Sequence, residues 1–327
     1  MSYYLYAETA FHHEGDEAYL GELIRAVAGT GVQGIKFQVL LNVDEFVSSR
    51  HRAYESIRQW VFSLEQWRRL FRLALEQRLE IIMMPLDTAA FRLAEEFPVA
   101  RLDLHSVSFH DPAMLQGLNT AGKPIILGVG GRTQAEVEDK VDYFHDKLLT
   151  LMAGFQAFPS DLRDVRLSRV AFLKEHYPAQ TIGYADHTSY DDPYTITSLE
   201  YAFLLGARVF EKHVTLDEGE KRVDYEAAVG IDKLADIKGR LDYLESLLST
   251  SSEEALTMSP AEIRYRERQK FAVARRALAA GHVLGDGDLV LKITDEAQGL
   301  ADCEQLIGRR LKREVGRDEV ITGDVVK

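Results

Sequence analysis

The pattern that most constrains this chain is an alternation repeated eight times: a short apolar run rich in β-branched and aromatic residues, then a segment with helical periodicity. The runs are Tyr3–Thr9, Gly34–Leu40, Glu80–Leu86, Ala100–His105, Pro124–Gly130, Leu148–Gln156, Gln180–His187 and Ala207–Val214. Helical patterns fall at Ala18–Gly29, Leu64–Gln77, Thr88–Glu96, Thr133–His145, Leu162–His176, Pro193–Leu205 and Lys233–Leu248. A helix between strands carries the chain back to the same end of the sheet, so the strands run parallel. An open doubly wound sheet and a closed (β/α)8 barrel both satisfy this. Eight units before residue 249 match the barrel's usual size of about 250 residues, and runs apolar on both faces suit strands buried on both sides. The expected fold is therefore α/β, a (β/α)8 TIM barrel over residues 1–249.

Local chemistry supports several boundaries. Thr133 and Glu136 have capping-box spacing at the start of a helix, and Gly122-Lys123-Pro124 ends the helix before the fifth strand. Val43–Arg58 is a long polar insertion after the second strand, at the end of the barrel where active sites lie, and its position suggests a lid. After Leu248 the composition turns polar, Ser249-Thr250-Ser251-Ser252-Glu253-Glu254, and residues 250–270 read as a linker containing a charged helical stretch near Pro260–Lys270. Residues 271–327 alternate short β runs with Gly/Asp turns and form a small β-rich domain, too short for a large core of its own.

Charge and cysteine content narrow the function classes. The 39 Lys and Arg residues face 52 Asp and Glu, a net charge of −13, which argues against nucleic acid or anionic lipid as a partner and requires any phosphate site to be local. The lone Cys303 excludes an internal disulfide and suits a reducing compartment, so the cytoplasm is expected. No apolar stretch is long enough to span a membrane.

In a barrel of this kind the polar residues at the C-terminal ends of the strands face the catalytic mouth. Those positions hold Glu8 and His13, Lys36 and Gln38, Asp87, Ser106, Gln156, Asp186 and His187, and Glu211 and His213. His187 and His213 end consecutive strands and so are expected side by side, a pair suited to a divalent cation. His12 and His13 are neighbours, of which one faces inward; His13 is favoured.

The flanks of these residues resemble the sialic acid synthase family. Ile182-Gly183-Tyr184-Ala185-Asp186-His187-Thr188 is similar to its G-x-S-D-H-T motif, and Phe210-Glu211-Lys212-His213-Val214-Thr215-Leu216-Asp217 to E-K-H-F-T-L-D. Ala7-Glu8 with Phe11–Gly15, Lys36-Phe37-Gln38, Met84-Pro85-Leu86-Asp87 and Val223-Asp224 match further segments in order, and residues 271–327 look like the family's antifreeze-like (SAF) domain. The resemblance implies an enzyme that condenses phosphoenolpyruvate with an amino-sugar aldehyde to give a nonulosonic acid, releasing phosphate. It implies a divalent metal, manganese most often, on His187 and His213; sugar contacts from Glu8 and Asp224; and phosphoenolpyruvate on Lys36, with Gln38, Ser106 and Asp87 also among the substrate contacts. It also implies a homodimer in which each SAF domain reaches over the partner's barrel.

The family pattern breaks on one ligand. Asp103 stands where members have lysine, Ser108 where they have an acid, Gly128-Val129-Gly130-Gly131 for S-T-G-M, Arg166 for an asparagine, Ala185 for the serine of S-D-H, and Tyr225 for the histidine after Asp224. The SAF arginine is missing as well, Lys292 lying nearest. Arg132, Arg166 and the Gly130-Gly131 amides are the groups expected to restore an anion site. Two alternatives stay open: a metal-dependent aldolase or isomerase on a related sugar acid without phosphoenolpyruvate, and a sugar-binding homologue without catalysis.

Overall fold

The computed structural model describes residues 2–154, 157–248, 256–296 and 299–327. Eight parallel strands close into a barrel in sequential order: β1 (Tyr4–Glu8), β2 (Gly34–Val39), β3 (Glu80–Pro85), β4 (Val99–Leu104), β5 (Ile125–Gly128), β6 (Leu149–Ala153), β7 (Thr181–Asp186) and β8 (Val209–His213). Each falls within two residues of its sequence-read position at the start and within three at the end. Gln156, expected at the mouth, lies outside the described residues.

The two faces of each strand explain the continuous apolar runs. Outward side chains such as Leu5, Ile35, Phe37, Ile81 and Leu127 pack beneath the surrounding helices, while Tyr6, Ile82, Ile126, Met152, Ala185 and Val209 fill the interior. The helix Leu64–Glu76 shows how the outer layer forms. Its Ser63/Gln66 capping box fixes the start, and Trp67, Leu70, Phe71 and Ala74, spaced three, one and three residues apart, make one buried stripe. Phe71 stacks on Phe37 of β2, ring centroids 5.5 Å apart. Gly34 is required by the interior layer: a Cβ there would lie 2.4 Å from the Tyr4 hydroxyl and 2.7 Å from Ile82.

The structure adds one helix that periodicity missed, Pro112–Thr120, capped by Asp111 and with proline in its first turn. The insertion after β2 forms two short helices, Val43–Phe46 and Tyr54–Trp60. Its Phe46, Ile57 and Trp60 pack on Phe11, Leu40, Met84 and Leu86, next to the barrel mouth.

The chain divides into two compact units at residues 249/250. In the second, β9 (Phe271–Ala274) and β10 (Leu289–Lys292) pair antiparallel, and isolated bridges such as Leu278 to Val315 and Leu311 to Val326 tie the turns together. This unit has a small core of its own, including Leu278, Leu284, Leu306, Val315 and Ile321. The charged stretch before it is the helix Pro260–Arg266, with a Ser259/Glu262 capping box. No helix among the described residues is long and apolar enough to cross a membrane.

Candidate metal centre and active site

Because side chains alternate along a strand, each step of two residues climbs one layer inside the barrel. Tyr6, Ile82, Ile126, Met152 and Val209 form an apolar floor. Above it sit Lys36, Asp103 and Glu211, then Glu8, Gln38, His187 and His213 at the rim of a cavity of about 350 Å3. Ser106, His105, Phe158 and Asp224 complete the wall.

Registration brings the charged groups together. Glu8 pairs with Lys36 across β1 and β2, Tyr6 with Glu211 and Glu8 with His213 across β1 and β8. The Lys36 ammonium lies 2.9 Å from Glu8 Oε2, 2.7 Å from Asp103 Oδ2 and 2.6 Å from Glu211 Oε2, with all four side chains buried. Tyr6 donates to Glu211 Oε2 at 2.6 Å, and Gln38 Nε2 and the Ala10 amide donate to Glu8 Oε1. Burial alone would discharge Lys36, but Asp103 and Glu211 outweigh it and raise the ammonium's pKa. Burial lifts Asp103 to about 6 against the pull of Lys36. It also opposes ionisation of Glu211, yet Lys36, His187 and Tyr6 together hold that carboxyl below its usual range.

The expected histidine pair is present. The His187 and His213 rings lie 5.0 Å apart, and ligand atoms of His187, Glu211 and His213 all fall within 4.8 Å of one another. Burial brings His187 to about 4 and His213 well below its ordinary value, leaving both rings neutral with lone pairs available near neutral pH. Nδ1 of each ring is buried and has no hydrogen-bond partner among the described residues. Such orphaned atoms are costly unless something fills them, and two imidazoles with a carboxylate suit a divalent cation of the manganese or zinc type. Glu211 is the candidate third ligand, which sequence reasoning named as a mouth residue without giving it this role. Its position two residues before His213 on the same strand face was the available signal.

Several expected positions are corrected. His13 stacks on Phe62 at 4.3 Å and turns away, whereas His12 meets His213 edge-on at 6.2 Å with both of its nitrogens unpartnered among the described residues. The chain turns from Thr9 to Gly15, with Ala10 and Glu14 at positive φ, so strand alternation did not apply there. Asp87 is a buried structural carboxylate that accepts from the Leu41, Asn42 and Ala90 amides and does not line the cavity. Arg132 packs on the Phe109 ring at 4.3 Å and donates to the Ser106 carbonyl, outside the cavity lining. Arg166, at φ 41°, lies in a separate shallow hollow with Leu162, Val165 and Tyr194. Gly130 and Gly131 do not line the cavity either, so none of the groups expected to restore an anion site reaches it. Asp186 faces outward to a fully buried Lys212 at 2.6 Å and to Thr188 and Ser198. Lys292 pairs with Asp318. Glu8, Lys36, Gln38, Ser106, Asp224, His187 and His213 are gathered as expected.

Fold and site together define a TIM-barrel protein with a candidate divalent-cation centre opening on a sugar-sized cavity, followed by a small β-rich unit. The chain belongs to the NeuB family, whose model matches residues 23–253, and it carries a SAF domain over residues 270–327. It is 24% identical to N-acetylneuraminate-9-phosphate synthase of Drosophila melanogaster, covering 99% of this chain and 96% of that protein. It is also 24% identical to N,N'-diacetyllegionaminic acid synthase of Legionella pneumophila, covering 95% and 91%. The fold matches a Chromobacterium violaceum protein assigned to spore coat polysaccharide biosynthesis with a TM-score of 0.85, at 21% identity and full coverage of both chains.

Proposed function

We propose that this chain is a metal-dependent, carbon–carbon bond-forming transferase of the sialic acid synthase type, joining a small oxoacid-type donor to a sugar aldehyde. The observation that carries this reading is the convergence of neutral His187 and His213 with Glu211 at the cavity. A divalent cation, manganese by resemblance to the family, would be held by these three residues and would supply Lewis-acid polarisation of the aldehyde carbonyl. Asp224, whose carboxyl burial raises to about 6, lines the cavity as a hydroxyl acceptor for the sugar. Glu8, itself held by Gln38 and Lys36, fixes the ammonium that orients Glu211. The resemblance to the family implies a homodimer, which light scattering of the purified protein tests.

Manganese titrated into the protein and followed by electron paramagnetic resonance is expected to bind at one site per chain. His187→Ala and His213→Ala are each expected to weaken binding at least 100-fold and to abolish turnover of an aldehyde with phosphoenolpyruvate or pyruvate. Binding indifferent to both changes overturns the reading.

Phosphoenolpyruvate is the donor that the resemblance implies, with phosphate release as its assay. A specific observation favours the second reading, an aldolase-type reaction without that donor: the three carboxylates around Lys36 occupy the ammonium expected to bind phosphate.

A further inference from the structure

We propose that Asp103 sets the donor specificity of this mouth against phosphate esters, so that the donor is an unphosphorylated 2-oxoacid. This rests on the mouth being the substrate site proposed above. Among the described residues, the charged side chains lining the cavity are four carboxylates, Glu8, Asp103, Glu211 and Asp224, against the single ammonium of Lys36. No arginine lines it among the described residues. Lys36 donates to Asp103 Oδ2 and Glu211 Oε2 and is ion-paired with Glu8 Oε2 at 2.9 Å, so its one positive charge is already shared among three carboxylates. Even a divalent cation would leave the lining with more negative than positive charge. A phosphate ester that also bears a carboxylate enters such a cavity against repulsion, and the burial of the Glu8, Asp103 and Glu211 side chains weakens the screening of that repulsion. A monoanion such as pyruvate meets much less of it.

Asp103 is the residue on which this turns. It projects from β4 to Lys36 on β2, and its carboxylate is 2.7 Å from the ammonium. Glu211 belongs to the candidate metal centre and Glu8 is already tied to Gln38 and the Ala10 amide, whereas Asp103 Oδ2 has Lys36 as its only hydrogen-bond partner among the described residues. The reaction with an unphosphorylated donor balances without a leaving group. A proton leaves C3 of the oxoacid, the carbon next to its keto group, that carbon bonds to the aldehyde carbon, and the aldehyde oxygen takes up a proton.

The test compares pyruvate with phosphoenolpyruvate, which differ by the phosphate, by calorimetric titration of the full-length protein with and without manganese. Wild type is expected to bind pyruvate at least tenfold more tightly than phosphoenolpyruvate. Asp103→Asn frees one donor of Lys36 and is expected to tighten phosphoenolpyruvate at least tenfold, while manganese affinity stays within about twofold. Glu8→Gln relieves the same ammonium and serves if Asp103→Asn does not fold, as judged by circular dichroism. Tighter binding of phosphoenolpyruvate than pyruvate by wild type, binding of neither, or no gain in the folded variants overturns the proposal. Loss of the manganese site instead overturns the metal-centre reading, and the anion preference is still read on the metal-free protein.

Discussion

At the scale of single residues, the mouth is governed by what burial does to charge. Asp224 is the clearest case. Burial, with Glu226 nearby, raises its carboxyl to about 6, above the ordinary 3.8, and it sits at φ 59° in the left-handed region. A folded-state pKa above the unfolded one means that the native state loses stability as pH rises between those two values and regains it below them. Asn tolerates positive φ and carries no charge. Asp224→Asn is therefore expected to stabilise the protein at pH 8 by about 1–3 kcal/mol, an advantage that fades as pH falls to about 4, measured by urea unfolding at both pH values. The same change is expected to raise KM for the sugar, since an acceptor for its hydroxyls is weakened.

At the scale of elements, neighbouring strands use their two faces differently. Inward residues of β7 and β8 build the candidate metal centre, and the outward pair Asp186 and Lys212 locks the same two strands to the helix Thr197–Leu204 through Ser198. Both outward side chains are fully buried, and Lys212 also donates to the Thr188 carbonyl and to Thr195. Lys212→Met leaves Asp186 ionised without its partner and is expected to cost about 3–5 kcal/mol in urea unfolding. Replacing both members, Asp186→Leu with Lys212→Met, is expected to cost less than that single change. The D-H and E-K-H motifs thus divide between architecture (Asp186, Lys212) and the candidate metal centre (His187, Glu211, His213). Period-two alternation makes that division readable from the sequence once the strands are known.

At the scale of the whole molecule, the barrel and the SAF domain each have a separate core, so calorimetry is expected to resolve two unfolding transitions, the smaller one lost on deleting residues 256–327. The eightfold alternation in the sequence determined the barrel, because hydrophobic period and crossover geometry are local properties that hold before any long-range contact forms. It also placed His187 beside His213, since consecutive strands of a parallel barrel are neighbours. Tertiary structure alone decided the charge state of the mouth. Lys36 meets Asp103 67 residues away and Glu211 175 residues away, and only closure of the barrel brings them within hydrogen-bonding distance. Arg132, Arg166 and Asp87 showed the same limit in reverse. Arg132 and Asp87 lie just past a strand end and Arg166 farther along its loop, yet the connecting backbone directs them to a ring, loop amides and a separate hollow instead of the cavity. Strand order follows from pattern, but the direction of a side chain beyond a strand's last residue depends on loop dihedrals that no periodicity encodes.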